Sequence, residues 1–226
     1  MWGNDLLMFF FPVNCLVCGK RLDSTGGVLC LACEYKMPRT NYSNHTDNSI
    51  SKLFWGRSPV EMGTSLFRFE KGSSYQTLLH DLKYRGNRKV GLYLGNLLGH
   101  ELEHTGFSAC DLLVPVPLHQ KRFRERGYNQ SEIIARGVSR VTGIPMETKL
   151  LRRSGHQKSQ TSMGRYERFE NVSDKFQLVR HPLDINGKKI LLIDDVITTG
   201  ATLEACSLVL FRHFNCLVYV ATVCCA

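Results

Sequence analysis

Two adjacent carboxylates that follow an apolar run are the residues of this sequence best suited to chemistry. Residues 190–193 are Ile-Leu-Leu-Ile, and Asp194 and Asp195 come directly after them. A group of small and hydroxyl residues follows shortly, at Thr198, Thr199, Gly200, Ala201 and Thr202. The N–H groups of such a turn attract a phosphate, while carboxylates accept hydrogen bonds from vicinal hydroxyls. A ribose 5-phosphate presents both of these groups side by side.

A strand and a helix are needed to hold these residues in place. Residues 189–193 have the apolar, β-forming character of a strand that is buried on both faces of a parallel sheet. Apolar residues at helical spacing over 201–214 predict a helix that starts at the turn, where Gly200 lets a phosphate approach the backbone. An ordinary strand-to-helix turn with hydroxyl caps is the alternative, although such a turn has no need of two adjacent acids.

Four cysteines near the start of the chain have the spacing of a metal site. They form two Cys-x-x-Cys pairs, Cys15 with Cys18 and Cys30 with Cys33. Two such knuckles supply four sulfurs for tetrahedral Zn²⁺, in a site that is closed to substrate and therefore structural. Two disulfides or free thiols are the alternatives. The other cysteines lie in apolar patterns and are expected to be small buried side chains in a reducing compartment.

A second strand followed by cations predicts a second anion site. Residues 111–117 have the pattern of a buried strand that ends at prolines, and ligands bind at the carboxyl ends of parallel strands. The long loop after it carries Arg124 and Arg126, and Lys83 and Arg85 end an earlier predicted helix. Arginine can bind pyrophosphate through paired hydrogen bonds. For the arginines, the alternative is a solvated basic loop or a surface that binds nucleic acid. For Lys83 and Arg85, the alternative is that their positive charges simply complement the dipole of the helix that they end.

A polar, basic stretch over residues 150–168 is the third unusual segment. It lies between strand-like residues 148–151 and 176–179, and loops of this length in compact domains often act as lids. A lid over the site would exclude water, which is a competing nucleophile. Its candidate ligands are Gln160, Thr161 and Arg168. A plain flexible loop remains the alternative.

Composition and charge set limits on the whole chain. Its 226 residues, of which 43% are hydrophobic and 22% charged, are enough for one α/β domain with a small appendage. The net charge of +9 favours binding to a polyphosphate, a nucleic acid or an anionic surface. We predict a zinc-binding element with a leading amphipathic helix at 1–40, a linker at 41–60 and the α/β domain at 61–226. No apolar run is long enough to cross a bilayer, and the opening residues lack a basic stretch and a cleavage site, so a cytoplasmic location is expected.

The motifs together resemble a known family. Residues 190–202 resemble the signature of the phosphoribosyltransferases that bind phosphoribosyl pyrophosphate (PRPP). Four parts of the chain are similar, in order, to the ComF family of competence-associated, phosphoribosyltransferase-like proteins. These parts are the cysteine pairs, residues 111–117 with Arg-Glu-Arg-Gly-Tyr-Asn-Gln at 124–130, residues 159–161 with 168–171, and Asp-Asp-Val-Ile-Thr-Thr-Gly-Ala-Thr at 194–202.

The resemblance implies a fold and a set of ligands. The fold would be of the type I phosphoribosyltransferase class, an α/β architecture with a parallel sheet flanked by helices, a hood formed partly by the lid, and an N-terminal zinc knuckle element. Enzymes of that fold use Mg²⁺ to bind PRPP. The loop after the second strand departs from the family pattern, since it is longer and richer in arginine than the short Ser/Gly turn of well-understood members. A different ligand or additional contacts with a partner would account for this departure. The resemblance therefore supports PRPP binding better than it supports turnover.

The resulting hypothesis is that this protein binds PRPP and transfers, or once transferred, phosphoribose to a nitrogen acceptor with release of pyrophosphate. Such a reaction would belong to nucleoside metabolism, and the family resemblance would link the protein to DNA uptake. Asp194 and Asp195 would hold the ribose hydroxyls, residues 198–202 the 5-phosphate, and Arg124 and Arg126 the pyrophosphate. The alternative is a non-catalytic DNA-uptake module that binds single-stranded DNA or a helicase-like partner. The sequence names neither a general base, nor an acceptor, nor an oligomeric state.

Overall fold

A parallel β-sheet lies at the centre of the structure, a computed structural model that describes residues 13–22, 27–154, 175–179 and 184–226. Its strands are β1 (Val60–Arg68), β2 (Leu112–Pro115), β5 (Lys189–Ile197) and β6 (Leu217–Cys225). The order across the sheet is β1-β6-β5-β2, and every neighbouring pair is parallel. A separate antiparallel ribbon consists of β3 (Leu151–Arg153) and β4 (Phe176–Leu178).

Helices precede, connect and cover the strands. They are α1 (Leu31–Tyr35), α2 (Ser49–Lys52), α3 (Gln76–Tyr84), α4 (Arg88–Leu102), α5 (Gln120–Arg126), α6 (Gln130–Thr142) and α7 (Ala201–His213). Two short 3₁₀ helices lie at Tyr42–Asn44 and Gly106–Ala109.

The sheet is buried on both faces, as its continuous apolar runs predict. Alternate residues of β5 point to opposite sides, so Leu191 and Ile193 belong to one core and Ile190 and Leu192 to the other. The first core also contains the apolar faces of α3, α4 and α6 and the cysteine knuckles. The second contains α7 and the β3–β4 ribbon. The predicted parallel sheet flanked by helices is confirmed.

Strand β5 is longer than the sequence predicts. The two acids were expected to end it, but it continues to Ile197 because β6 pairs with it as far as Ile197 opposite Cys225. The pairing with β2 stops four residues earlier, where Pro115 lies opposite Ile193. Asp194 and Asp195 therefore lie on a strand that has lost its neighbour on the β2 side, and the sheet opens there.

The basic segment after β2 also differs from the prediction, since part of the expected loop is helix α5. The side chain of His119 accepts a hydrogen bond from the Lys121 N–H at 3.2 Å and begins the helix. Gly127, with φ of +73°, ends it in the left-handed conformation that favours glycine. No residue of α5 is buried, so its sequence has no apolar periodicity that could have predicted a helix.

Residues 41–60, predicted to be a linker, pack closely on β1. The Asn48 side chain caps α2 and donates to the Gly63 carbonyl at 2.9 Å. Within this segment Phe54 is fully buried, whereas Trp55 is 55% exposed. The predicted leading helix and the three lid candidates Gln160, Thr161 and Arg168 lie outside the described residues. Within the parts of the chain that are described, no helix has both the length and the apolar character needed to cross a bilayer.

Candidate functional site

The acidic pair of β5 forms a small network at the open edge of the sheet. The Oδ1 atom of Asp194 accepts two hydrogen bonds, from the Ser131 hydroxyl at 2.8 Å and from the Asp195 N–H at 2.9 Å. The Oδ2 atom of Asp195 lies 3.0 Å from the ammonium of Lys83, and both side chains of this ion pair are largely buried. Three elements therefore meet at the pair, since Ser131 belongs to α6 and Lys83 to α3.

The environment of Asp194 changes its protonation. Burial raises the pKa of Asp194 to about 7, and the negative charge of Asp195 contributes to the rise. The hydrogen bond from Ser131 and the positive charge of Lys83 act in the opposite direction and lower the same pKa. Asp194 therefore changes its charge near neutral pH.

The turn after β5 leads into helix α7, and most of the small residues at 198–202 face solvent. Thr198, Thr199 and Ala201 are exposed, Thr202 is half-buried and Gly200 is buried. Gly200 has φ of +78°, and an added Cβ atom would lie 3.2 Å from the ring of Phe54. Both the backbone conformation and the close packing against Phe54 therefore require glycine. The turn presents accessible backbone and hydroxyl groups next to a helix N-terminus, which has a partial positive charge.

A cleft of about 500 Å³ lies between the end of α3 and helix α5. Its lining residues are Lys83, Tyr84, Gly86, Arg122, Glu125 and Arg126. The Arg126 guanidinium donates to the Gln130 side chain at 2.8 Å and lies 5.4 Å from the centre of the Tyr84 ring. Three cations and one carboxylate give this cleft a net positive charge, which suits an anionic ligand.

The structure places only two of the four sequence-predicted cations at the basic cleft. Lys83 and Arg126 line the basic cleft, but Arg124 and Arg85 are not among its lining residues. Arg85 instead pairs with the buried side chain of Asp81, at 3.2 Å. Arg124 is exposed on the surface of α5, two residues from both Arg122 and Arg126, and residues two apart on a helix point to nearly opposite sides.

The four cysteines of the two pairs come together. Their sulfurs all lie within 4.8 Å of one another, and those of Cys18 and Cys30 are 3.8 Å apart. Burial alone would raise the pKa of Cys15, but hydrogen bonds from the backbone at Cys18, Cys30 and Val17 lower it to about 6. Thiolates are the form that binds metal, so the cluster could hold a metal ion such as zinc.

Comparisons with known proteins agree with these features. Residues 128–225 match the family described as "Phosphoribosyl transferase domain". The DNA utilization protein YhgH of Escherichia coli strain K12 is 30% identical over 151 residues, which is 65% of either chain. Competence protein F of Haemophilus influenzae is 24% identical over 221 residues, covering 89% of this chain and 92% of the relative. This chain is similar to proteins of the ComF family.

The fold of this chain is of the type I phosphoribosyltransferase class, with a cysteine knuckle element at its N-terminal side. One solved structure that it resembles is glutamine PRPP amidotransferase from Bacillus subtilis, complexed with ADP and GMP. The two are 21% identical with a TM-score of 0.45, and the match covers 63% of this chain and 30% of the other.

Two residues of this site were not singled out as ligand-site residues by sequence reasoning. Ser131 lies in the first turn of α6, which Asn129 caps, and the Ser131 hydroxyl donates to Asp194. Tyr84 lies against Arg126 in the basic cleft, although its exposure of 70% suits an ordinary surface residue. The sequence signal that could have identified Tyr84 is the position of an aromatic residue between two cations, Lys83 and Arg85.

The raised pKa of Asp194 predicts how the stability of this protein depends on pH. The folded state keeps a proton on Asp194 up to about pH 7, whereas the unfolded chain releases it at the ordinary value of 3.8. Stability therefore falls as pH rises through this window, by at most about 1.4 kcal/mol per pH unit. Urea unfolding at pH 5, 6 and 7 should show this decline in the wild type relative to Asp194→Asn. Parallel pH profiles for the two proteins would contradict the assignment.

Proposed function

We propose that this chain binds PRPP and transfers its phosphoribosyl group to a nitrogen acceptor with release of pyrophosphate. The observation that carries the proposal is the meeting of the acidic pair and the basic cleft at a single residue, Lys83, which pairs with Asp195 and also lines the cleft. A ligand with a diol next to a pyrophosphate fits such a site. PRPP has these two groups on adjacent carbons of its ribose ring.

The roles of the residues follow from their chemistry. The carboxylates of Asp194 and Asp195 accept hydrogen bonds from the 2- and 3-hydroxyls and stabilise positive charge that develops on the ring as pyrophosphate leaves. The accessible groups of residues 198–202 bind the 5-phosphate at the start of α7. Arg126 and Arg122, at the cleft, bind the pyrophosphate, and Arg124 is placed to meet an extended ligand from the surface of α5.

Two metal ions belong to the proposal. Zn²⁺ would be held by Cys15, Cys18, Cys30 and Cys33 and would stabilise the knuckle element without meeting substrate. The oxygens of Asp194 and Asp195 are of the type that binds Mg²⁺ together with substrate phosphates, although one of them already faces Lys83. Mg²⁺ would supply further neutralisation of the pyrophosphate charge when bound.

A second function has an observation in its favour. Tyr84 and Phe123 are exposed by 70% and 49%, and they lie on elements that carry several cations. Aromatic rings among cations are typical of surfaces that bind single-stranded nucleic acid. The names of the relatives, DNA utilization protein and competence protein, point in the same direction. The second candidate is therefore a module for DNA uptake that binds single-stranded DNA or a helicase-like partner.

Isothermal titration calorimetry with PRPP separates the two functions. We expect PRPP to bind with a stoichiometry of one and more tightly than ribose 5-phosphate or pyrophosphate alone, because only PRPP fills both halves of the site. Titration with a single-stranded oligonucleotide provides the comparison. Oligonucleotide binding without any heat from PRPP would refute the transferase proposal, and PRPP binding without pyrophosphate release over a panel of nitrogen bases would restrict it to a binding role.

A further inference from the structure

A buried acid lies close to the turn that we propose for the 5-phosphate. Glu204 belongs to the first turn of α7, and its backbone N–H donates to the Gly200 carbonyl at 2.9 Å. Its side chain is only 8% exposed. Because the N-terminus of a helix attracts negative charge, the Glu204 carboxylate and a bound phosphate would compete for the same end of α7. An acid in this place needs a cationic partner if the turn is to bind an anion.

Arg57 provides that partner from a distant part of the sequence. Its guanidinium forms an ion pair with the Glu204 carboxylate. A second nitrogen of the same guanidinium donates to the Leu53 carbonyl at 3.2 Å, which fixes the orientation of the group. The Arg57 side chain is 44% exposed, so it reaches the buried acid from the surface of the protein.

The packing leaves Glu204 little freedom to move away from the turn. Gly200 packs on the ring of Phe54, and an added Cβ atom at this glycine would lie 3.2 Å from that ring. The segment that carries Phe54 is itself fixed to β1, because the Asn48 side chain donates to the Gly63 carbonyl at 2.9 Å. The start of α7 is therefore held in one place, and the charge of the buried acid is held with it.

We propose that Arg57 prepares the turn at 198–202 for a phosphate by neutralising Glu204, without contacting the ligand itself. This inference rests on the proposed function and adds to it a positioning residue that acts through Glu204. Without Arg57, a carboxylate held within one helical turn of the site would repel the phosphate, and its burial would leave that repulsion weakly screened. The basic cleft is lined by other residues, so the binding of pyrophosphate there does not depend on Arg57.

Isothermal titration calorimetry of the full chain with PRPP and, separately, with inorganic pyrophosphate tests the proposal in one buffer that contains Mg²⁺. Arg57→Met should weaken PRPP binding by about fivefold or more, because an unpaired charge is left beside the 5-phosphate. Pyrophosphate lacks that phosphate, and its affinity should not change. Glu204→Gln should bind PRPP at least as tightly as the wild type. The double variant Arg57→Met/Glu204→Gln should recover the wild-type affinity, since the charge is removed together with its partner.

Arg212→Met is the matched control. Arg212 is an exposed residue in the last turn of α7, at the end of the helix away from the phosphate turn. This variant should bind both probes as the wild type does, and thermal unfolding shows whether each variant is folded. A purely structural ion pair would lower Tm in Arg57→Met and in Glu204→Gln but leave the PRPP affinity of both folded proteins at the wild-type value.

The outcomes separate this inference from the proposed function. Wild-type PRPP binding with an equal affinity of Arg57→Met would overturn the role of Arg57 and leave the proposed function intact. A double variant that binds PRPP no better than Arg57→Met would also overturn it, because the loss would then not arise from the charge of Glu204. Absence of PRPP binding by the wild type would refute the proposed function and this inference together.

Discussion

Replacement of Asp195 by asparagine should weaken PRPP binding by about 30- to 150-fold, which corresponds to about 2 to 3 kcal/mol for hydrogen bonds to a charged group. The asparagine has nearly the same shape, but it loses the charge that pairs with Lys83 and one of the two carboxylate oxygens that we propose for the ribose hydroxyls. Isothermal titration calorimetry of the two proteins under one buffer condition measures the effect.

The matched control for this variant is Asp47→Asn. Asp47 pairs with Lys52 near the surface, where its side chain is 70% exposed. We expect this variant to bind PRPP like the wild type, because exposed ion pairs contribute little. Equal affinity of Asp195→Asn and Asp47→Asn, with both proteins folded, would show that the acidic pair does not contact the ligand.

The second large effect is expected at the cysteine cluster. Cys33→Ser should release the metal and lower the free energy of unfolding by at least about 3 kcal/mol, given that structural zinc contributes roughly 10 to 16 kcal/mol in zinc-finger peptides. For a chain of this size that loss corresponds to a fall in Tm of about 6 to 12 °C. The effect should extend beyond the knuckles, because Cys33 and Glu34 of α1 contact Tyr75 and Tyr93 of the neighbouring helical layer.

Metal analysis and thermal unfolding measure this prediction directly. The purified wild type should contain one zinc ion per chain, and Cys33→Ser should contain none. Cys225→Ser is the control, because Cys225 is a partly buried free thiol at the end of β6, outside the cluster. A wild type whose Tm does not change on treatment with a strong chelator would contradict a structural metal.

Local sequence patterns were sufficient to predict much of this fold. The strands and helices around Asp194 and Asp195 have clear periodicity, and β5, α7 and β6 lie close to their predicted positions. The cysteine cluster was equally accessible, because its four ligands are grouped in two short motifs. Such features depend on residues that are near one another in sequence.

The contacts that complete the site could not be predicted in the same way. Lys83 reaches Asp195 from a helix far away in sequence, and Ser131 reaches Asp194 from another. Each of these contacts depends on how helices pack on the sheet, which no single segment specifies. Helix α5 was missed for a different reason, since a helix with no buried face lacks the apolar spacing that indicates one.

The close packing of α4 and α6 limits which amino-acid substitutions this protein can tolerate during evolution. An added Cβ atom at Gly137 would lie 2.6 Å from the Leu92 carbonyl, and one at Gly95 would overlap the Ile134 carbonyl. The two helix backbones are thus in contact, and α6 begins at the residues that reach Val116 and Asp194. A methyl group at either glycine would collide with the backbone of the facing helix and force the two helices apart at this crossing. Both positions therefore accept only glycine, because the obstacle in each case is backbone that no side-chain change elsewhere can remove.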